Sequence, residues 1–153
     1  MTEEFVADRH TVIMGCGPVG ASVTTSLTSH GHIVHILDSS TEKFNRLPTG
    51  ELESHRVVPI LGNGVIQKDL IKAQIENAAV FIALTNEDSR NAMAAQIAKR
   101  VFSVPIVICR IEDPIKQDMY LSLDVTAFSA SNLLTDMILD AASSTGTLGT
   151  NII

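Results

Sequence analysis

The 153-residue sequence predicts an α/β fold, a doubly wound and mostly parallel six-stranded sheet with helices on both faces, from three observations. Six short apolar runs alternate with stretches of helical spacing, as expected when each parallel strand is followed by a crossover. The runs are apolar with little polar alternation, the pattern of strands covered on both sides. The first run ends in Gly15-x-Gly17-x-x-Gly20, and a helical pattern begins at once.

Val12 to Met14 is the first strand, and Pro18 to His30 carries Val, Ala and Leu at helical spacing. His32 to Leu37 is the second strand and ends in Asp38. Ser39-Ser-Thr-Glu42 has the spacing of a capping box, opening a short helix through Phe44 and Leu47 that stops before Pro48. Arg56 to Leu61 is the third strand, with Pro59 tolerated because the strand is near a sheet edge or the proline close to its end. Gly62-Asn-Gly64 turns the chain into a helix over Asp69 to Ile75. Ala79 to Leu84 is the most apolar strand and so the most central, and Thr85 to Asp88 reads as a second cap for a long helix reaching Val101. Pro105 to Cys109 is the fifth strand, and Asp113-Pro114 caps a helix through Met119 and Leu121. Val125 to Phe128 is the sixth strand, and a last helix runs from Ser131 or Asn132 to about Ala142. The domain is thus expected over residues 10–142, after an extension at 1–9 and before a Ser/Thr/Gly-rich tail at 143–153.

The glycine turn is where chemistry is expected. Gly15 turns the chain off the strand, Gly17 leaves room for a pyrophosphate against the backbone, and Gly20 lets the helix lie close on the sheet. The amides of that turn and the positive end of the helix dipole favour a phosphate. Asp38, 18 residues after Gly20, is placed at a strand end where a carboxylate takes both ribose hydroxyls and repels a 2′-phosphate. Ser39 and Ser40 offer no basic side chain to reverse that preference. Strand, glycine turn, helix and acidic residue together are a Rossmann-like nucleotide site. The alternative is a structural turn in which Asp38 only caps the next element.

Composition narrows the class further. The formal net charge of −6, with 11 scattered basic residues, argues against nucleic acid. No apolar run approaches the ~20 residues of a membrane helix, and the acidic N-terminus has no signal-peptide pattern, so a cytoplasmic location is expected. Cys16 and Cys109 lie far apart and form neither a CxxC pair nor a disulfide framework. Cys16 reads as a small residue in a crowded turn rather than as a redox thiol. His30, His32 and His35 do not converge on a metal, because strand alternation sends the last two to opposite faces. Almost the whole chain is used by the six strand units, leaving no substrate domain. A binding module is therefore favoured over an enzyme.

From about His10 to Ala142 the chain resembles the RCK domain, regulator of potassium conductance, also called TrkA-N or KTN. The resemblance rests on the Gly15–Gly20 turn, Asp38, Gly62-Asn-Gly64, Thr85 with Asp88 and Asn91, the run from Ile106 to Pro114, and Leu121-x-x-Asp124. It implies a nucleotide sensor that binds NAD(H), ADP or ATP, forms dimers that assemble into an octameric ring, and regulates an integral membrane potassium channel or transporter. It also implies residue roles. Gly15, Cys16, Gly17, Pro18, Val19 and Gly20 would hold phosphates, and Asp38 with Ser39 the ribose. Asn63 would lie beside the adenine, while Thr85, Asn86 and Arg110 would line the far side of the cleft, with Glu112 near the ligand or a divalent cation.

The chain departs from the family where Pro18 replaces a frequent Arg after the second glycine, and Ser122 replaces a frequent Gly. Small apolar residues on two faces of the helix at Ala92–Ala98, and Leu133, Leu134, Met137, Ile138 and Leu139 on the last helix, point to a homo-oligomer. The competing functional class is a small NAD-dependent oxidoreductase, or the cofactor-binding subunit of one. No metal site and no catalytic constellation are expected.

Overall fold

Parallel pairing follows from the spacing of the apolar runs, and the computed structural model, which describes residues 9–144, contains six parallel strands in one sheet. They are β1 (His10–Met14), β2 (Ile33–Asp38), β3 (Val57–Leu61), β4 (Val80–Ala83), β5 (Ile106–Arg110) and β6 (Thr126–Phe128), in the order β3-β2-β1-β4-β5-β6. The helices are α1 (Pro18–Ser29), α2 (Thr49–Glu53), α3 (Gln67–Lys72), α4 (Asp88–Arg100), α5 (Pro114–Leu121) and α6 (Ala130–Ser143). Two 3-10 turns, Thr41–Arg46 and Ile75–Asn77, complete the crossovers. The expected extension and tail lie outside the described residues apart from residues 9, 143 and 144.

Strand alternation divides the core in two. Val12, Met14, Leu37, Phe81, Ala83 and Val107 face α3, α4 and α5, while Ile13, Val34, Ile36, Val80 and Ile82 face α1, α2 and the first 3-10 turn. Because β1 passes to β2 on one side and β4 lies on the other, the winding of the sheet reverses between β1 and β4. In open α/β sheets a ligand crevice opens at the carboxyl ends of strands at such a switch point. Pro59 lies in β3, an edge strand, as its missing N–H requires.

Several local boundaries differ from expectation, each for a visible reason. The Ser39–Glu42 box makes no side-chain cap: Ser40 precedes a 3-10 turn, and the Ser40 N–H is taken by Asp38 Oδ1 at 2.9 Å. The 3-10 turn ends at Arg46, before Pro48 as expected, and a further short helix, α2, follows the proline. Thr85 does not cap α4, whose N-cap is Glu87; its hydroxyl donates to Asn91 Oδ1 and accepts from Glu87 N at 3.3 Å, outside the helix. The helix expected over Asp69–Ile75 is α3, which ends at Lys72. There the Ala73 carbonyl accepts from His35 Nδ1 (2.9 Å) and His10 Nε2 (3.2 Å), and Gln74 turns left-handed with φ 58°. The last helix starts at Ala130, with the Ser129 hydroxyl accepting from Asn132 N, so the cap lies earlier than the apolar spacing suggested. His32 bonds Thr11 and His30 bonds the Ser26 carbonyl, so the three spaced histidines hold different partners.

Candidate functional site

At the carboxyl ends of the strands an open cleft of about 190 Å³ is bounded by the β1–α1 turn, the ends of β2 and β3, and the ends of β4 and β5. Its floor is the glycine turn. Gly15 has φ +107° and lies so close to Leu84 and Thr85 that a Cβ would come within 3.0 Å of their backbone. That approach is held by Gly15 N–H donating to the Leu37 carbonyl (2.8 Å) and Leu84 N–H to the Met14 carbonyl (2.8 Å). Gly20 is buried directly under the Gly15 carbonyl, with no space for a Cβ. Gly17 differs from both: its φ of −77° suits any residue, and a Cβ there would meet nothing within 4 Å. The space kept open at Gly17 belongs to the cleft. Pro18 takes the first helical position, where no amide is required, and the amides of the first turn have no intrahelical acceptors.

Asp38 ends β2 beside that turn. Its carboxylate accepts from Cys16 N (2.8 Å) and Ser40 N (2.9 Å), with Lys43 Nζ at 3.4 Å. These bonds fix the carboxylate and leave lone-pair positions available to further donors. Lys43 is a cation that the sequence reading did not bring here. It reaches Asp38 because the 3-10 turn folds back over the strand end.

The opposite wall is built by Asn91, which is fully buried in α4. Its Oδ1 accepts from Thr85 N (3.0 Å) and Thr85 Oγ1 (2.6 Å), and its Nδ2 donates to the carbonyls of Thr85 and Arg110 (both 2.9 Å). One amide side chain thus joins the ends of β4 and β5. Arg110 then lies across the wall, with Nε donating to Glu112 Oε1 (2.9 Å) and Nη1 to Asn86 Oδ1 (3.1 Å). Glu112 also accepts from Ser129 Oγ and from the amides of Ala130 and Ser131 at the start of α6. Hydrogen bonds from Ser131, Arg110, Ser129 and Ala130 hold its carboxyl down at about 2. Asp88 accepts from the amides of Glu112 and Asp113, so this carboxylate ties α4 to the segment after β5.

Of the expected residues, the structure brings Gly15, Gly17, Pro18 and Val19 together with Asp38 and Ser39 on one side, and Thr85, Asn86 and Arg110 on the other. Three lie behind the lining. Gly20 is packing, and the Cys16 thiol is buried, pointing to the Lys43 carbonyl at 3.5 Å. Burial, with Asp38 nearby, pushes that thiol up rather than toward thiolate. Asn63 turns inward: its Oδ1 accepts from Val65 N (3.1 Å) and Arg90 Nη2 (3.1 Å). Arg90 and Glu87, both in the cleft wall, were not singled out from the sequence, since neither belongs to a spaced motif. Among the described residues no group of three or more His, Cys, Asp or Glu side chains is arranged to hold a metal.

Comparison with known proteins bears on this geometry. The model of the TrkA-N domain family matches residues 11–129. The Trk system potassium uptake protein TrkA of Streptomyces coelicolor is 35% identical over 130 residues, covering 85% of this chain and 56% of the relative. The chain spans about half the length of the curated relatives it matches. Among solved structures, the TrkA-N domain of the inner membrane protein ybaL from Escherichia coli superposes with a TM-score of 0.75 at 15% identity, covering 89% of this chain and 98% of that one. The GsuK channel bound to NAD superposes with a TM-score of 0.66 at 15% identity, covering 85% of this chain and 23% of that one.

Proposed function

The chain belongs to the TrkA-N domain family, and from that premise we propose that it is the nucleotide-sensing part of a potassium transport system. In this reading an adenine nucleotide, NAD(H), ADP or ATP, occupies the cleft, and the domain works as a homo-oligomer on an integral membrane potassium channel or transporter at the cytoplasmic face.

The observation that carries the reading is the pairing of an open glycine turn with a fixed carboxylate one strand away. The space beside Gly17 suits a phosphate against the backbone, and Asp38 beside it suits the hydroxyls of the attached ribose. The similarity to a channel described with NAD supports the same ligand class. A ligand that bridges the glycine turn and the β4–β5 wall would favour one separation of those walls. Regulation then follows as a population shift, whose size is set by the ligand's differential affinity for the two shapes.

The test is calorimetric titration with NAD⁺, NADH, NADP⁺, AMP, ADP and ATP of the parent chain and of Gly17→Val and Asp38→Ala. Gly17→Val is the informative variant, since its backbone is ordinary and no protein atom is in the way, so it folds while filling the phosphate space. Adenine nucleotides bind the parent, and both variants lose them. Variants that bind as well as the parent overturn the reading.

A further inference from the structure

Resting on the reading of the cleft as a nucleotide site, we propose that Arg90 is its selectivity residue, favouring ligands that carry a second or third phosphate over nucleoside monophosphates. The strand order fixes the direction in which such a ligand lies. Asp38 ends β2, the glycine turn follows β1, Thr85 and Asn86 follow β4, and Arg110 ends β5, and these four strands are neighbours in that order. A ribose over β2 with its first phosphate over β1 sends any further phosphate over β4, one strand spacing or ~4.8 Å on. Arg90 enters the cleft from the first turn of α4, which follows β4, and reaches across it to Asn63 in the loop after β3.

Among the described residues three cations line the cleft, Lys43, Arg90 and Arg110, and their partners separate them. Lys43 is 3.4 Å from the Asp38 carboxylate, and Arg110 donates to the Glu112 carboxylate at 2.9 Å. Arg90 instead holds a neutral amide oxygen, Asn63 Oδ1, at 3.1 Å, and its carboxylate neighbour is Glu87 at 3.8 Å, a side chain 62% exposed. A water-exposed pair at that distance neutralises little. Arg90 therefore brings the least compensated positive charge to the cleft, on a guanidinium aimed by an amide whose own backbone N–H is fixed by Asp69 Oδ2 at 2.8 Å. The glycine turn has no side-chain cation of its own, since Pro18 follows Gly17. A phosphate beyond the first is matched by Arg90, whereas AMP carries none. Asn63 becomes the positioning residue for this arm rather than a reader of the base.

The inference is tested by titrating AMP, ADP, ATP and NAD⁺ into the parent, Arg90→Gln, Arg90→Lys and Asn63→Ala. With charge-assisted hydrogen bonds at stake, the parent prefers ADP and ATP to AMP, and Arg90→Gln reduces that preference ~10- to 100-fold. AMP affinity stays within about twofold in Arg90→Gln, because a single phosphate stops at the glycine turn. Arg90→Lys recovers part of the preference, and Asn63→Ala weakens it in the same sense as Arg90→Gln. A preference unchanged in Arg90→Gln, or AMP weakened by the same factor as ATP, overturns the role of Arg90 while leaving the nucleotide site standing. A parent chain that binds none of the four ligands overturns both.

Discussion

Asn91 does not line the cleft, yet it sets the width of its far wall. Its four hydrogen bonds satisfy Thr85 N, Thr85 Oγ1 and the carbonyls of Thr85 and Arg110, so Asn91→Ala strands several polar groups at a partly buried site. The expected loss is about 3 kcal/mol of unfolding free energy, read as a lower urea midpoint at unchanged slope. A loss under about 0.5 kcal/mol, the range of ordinary surface substitutions, would show that the wall stands without it. The glycines make a contrasting case at this scale. All three were legible as a motif, but their jobs were separable only in space: Gly15 needs its positive φ, Gly20 needs to have no Cβ, and Gly17 needs neither and keeps the cleft open. Lys43 and Arg90 were illegible because a cation's role depends on which loop folds over which strand end, and no spacing in the chain encodes that.

Among the elements, α6 is the least attached. No residue in it is buried, and its first turn is held by Ser129 as the cap and by the Glu112 carboxylate. Since Glu112 is drawn down to about 2 from an ordinary 4.5, its folded-state contribution is complete above pH ~4.5 and is lost as pH falls toward 2. The Ala130 amide resonance should therefore titrate with a midpoint near 2, and Glu112→Gln should remove that transition. A midpoint near 4.5 would show that the carboxylate is not bonded to the helix start. The caps show how far local sequence reaches. Asp113 was legible as a cap and accepts from Ile115 N at 3.0 Å. Thr85 and the Ser39–Glu42 box were not: Thr85 stands two residues before the N-cap Glu87, whose amide it accepts while donating to Asn91, and at Ser40 it is the neighbouring Asp38 carboxylate that takes the amide.

At the scale of the whole molecule, α6 leaves apolar side chains exposed along its length. Leu133, Leu134, Met137, Ile138 and Leu139 are all about half exposed on α6. The parent chain is expected to run as an oligomer in size exclusion with light scattering, and Leu134→Glu with Ile138→Glu is expected to give monomers that still bind nucleotide. A monodisperse parent monomer would contradict this. The sequence by itself determined the parallel α/β architecture, six strands, the glycine turn, the acidic end of β2 and the family resemblance. These follow from periodicity and glycine spacing, properties of short stretches of chain, while the sheet order settled that Pro59 sits on an edge strand. Only the tertiary structure decided which side chains meet across the crevice: Arg90 on Asn63, Lys43 on Asp38, Asn91 between β4 and β5, and Glu112 beneath α6. The physical reason is that, apart from Lys43 on Asp38, which lie in one crossover, these contacts join residues that follow different strands. Their distances are set by sheet order and helix packing, which emerge only when the whole core closes.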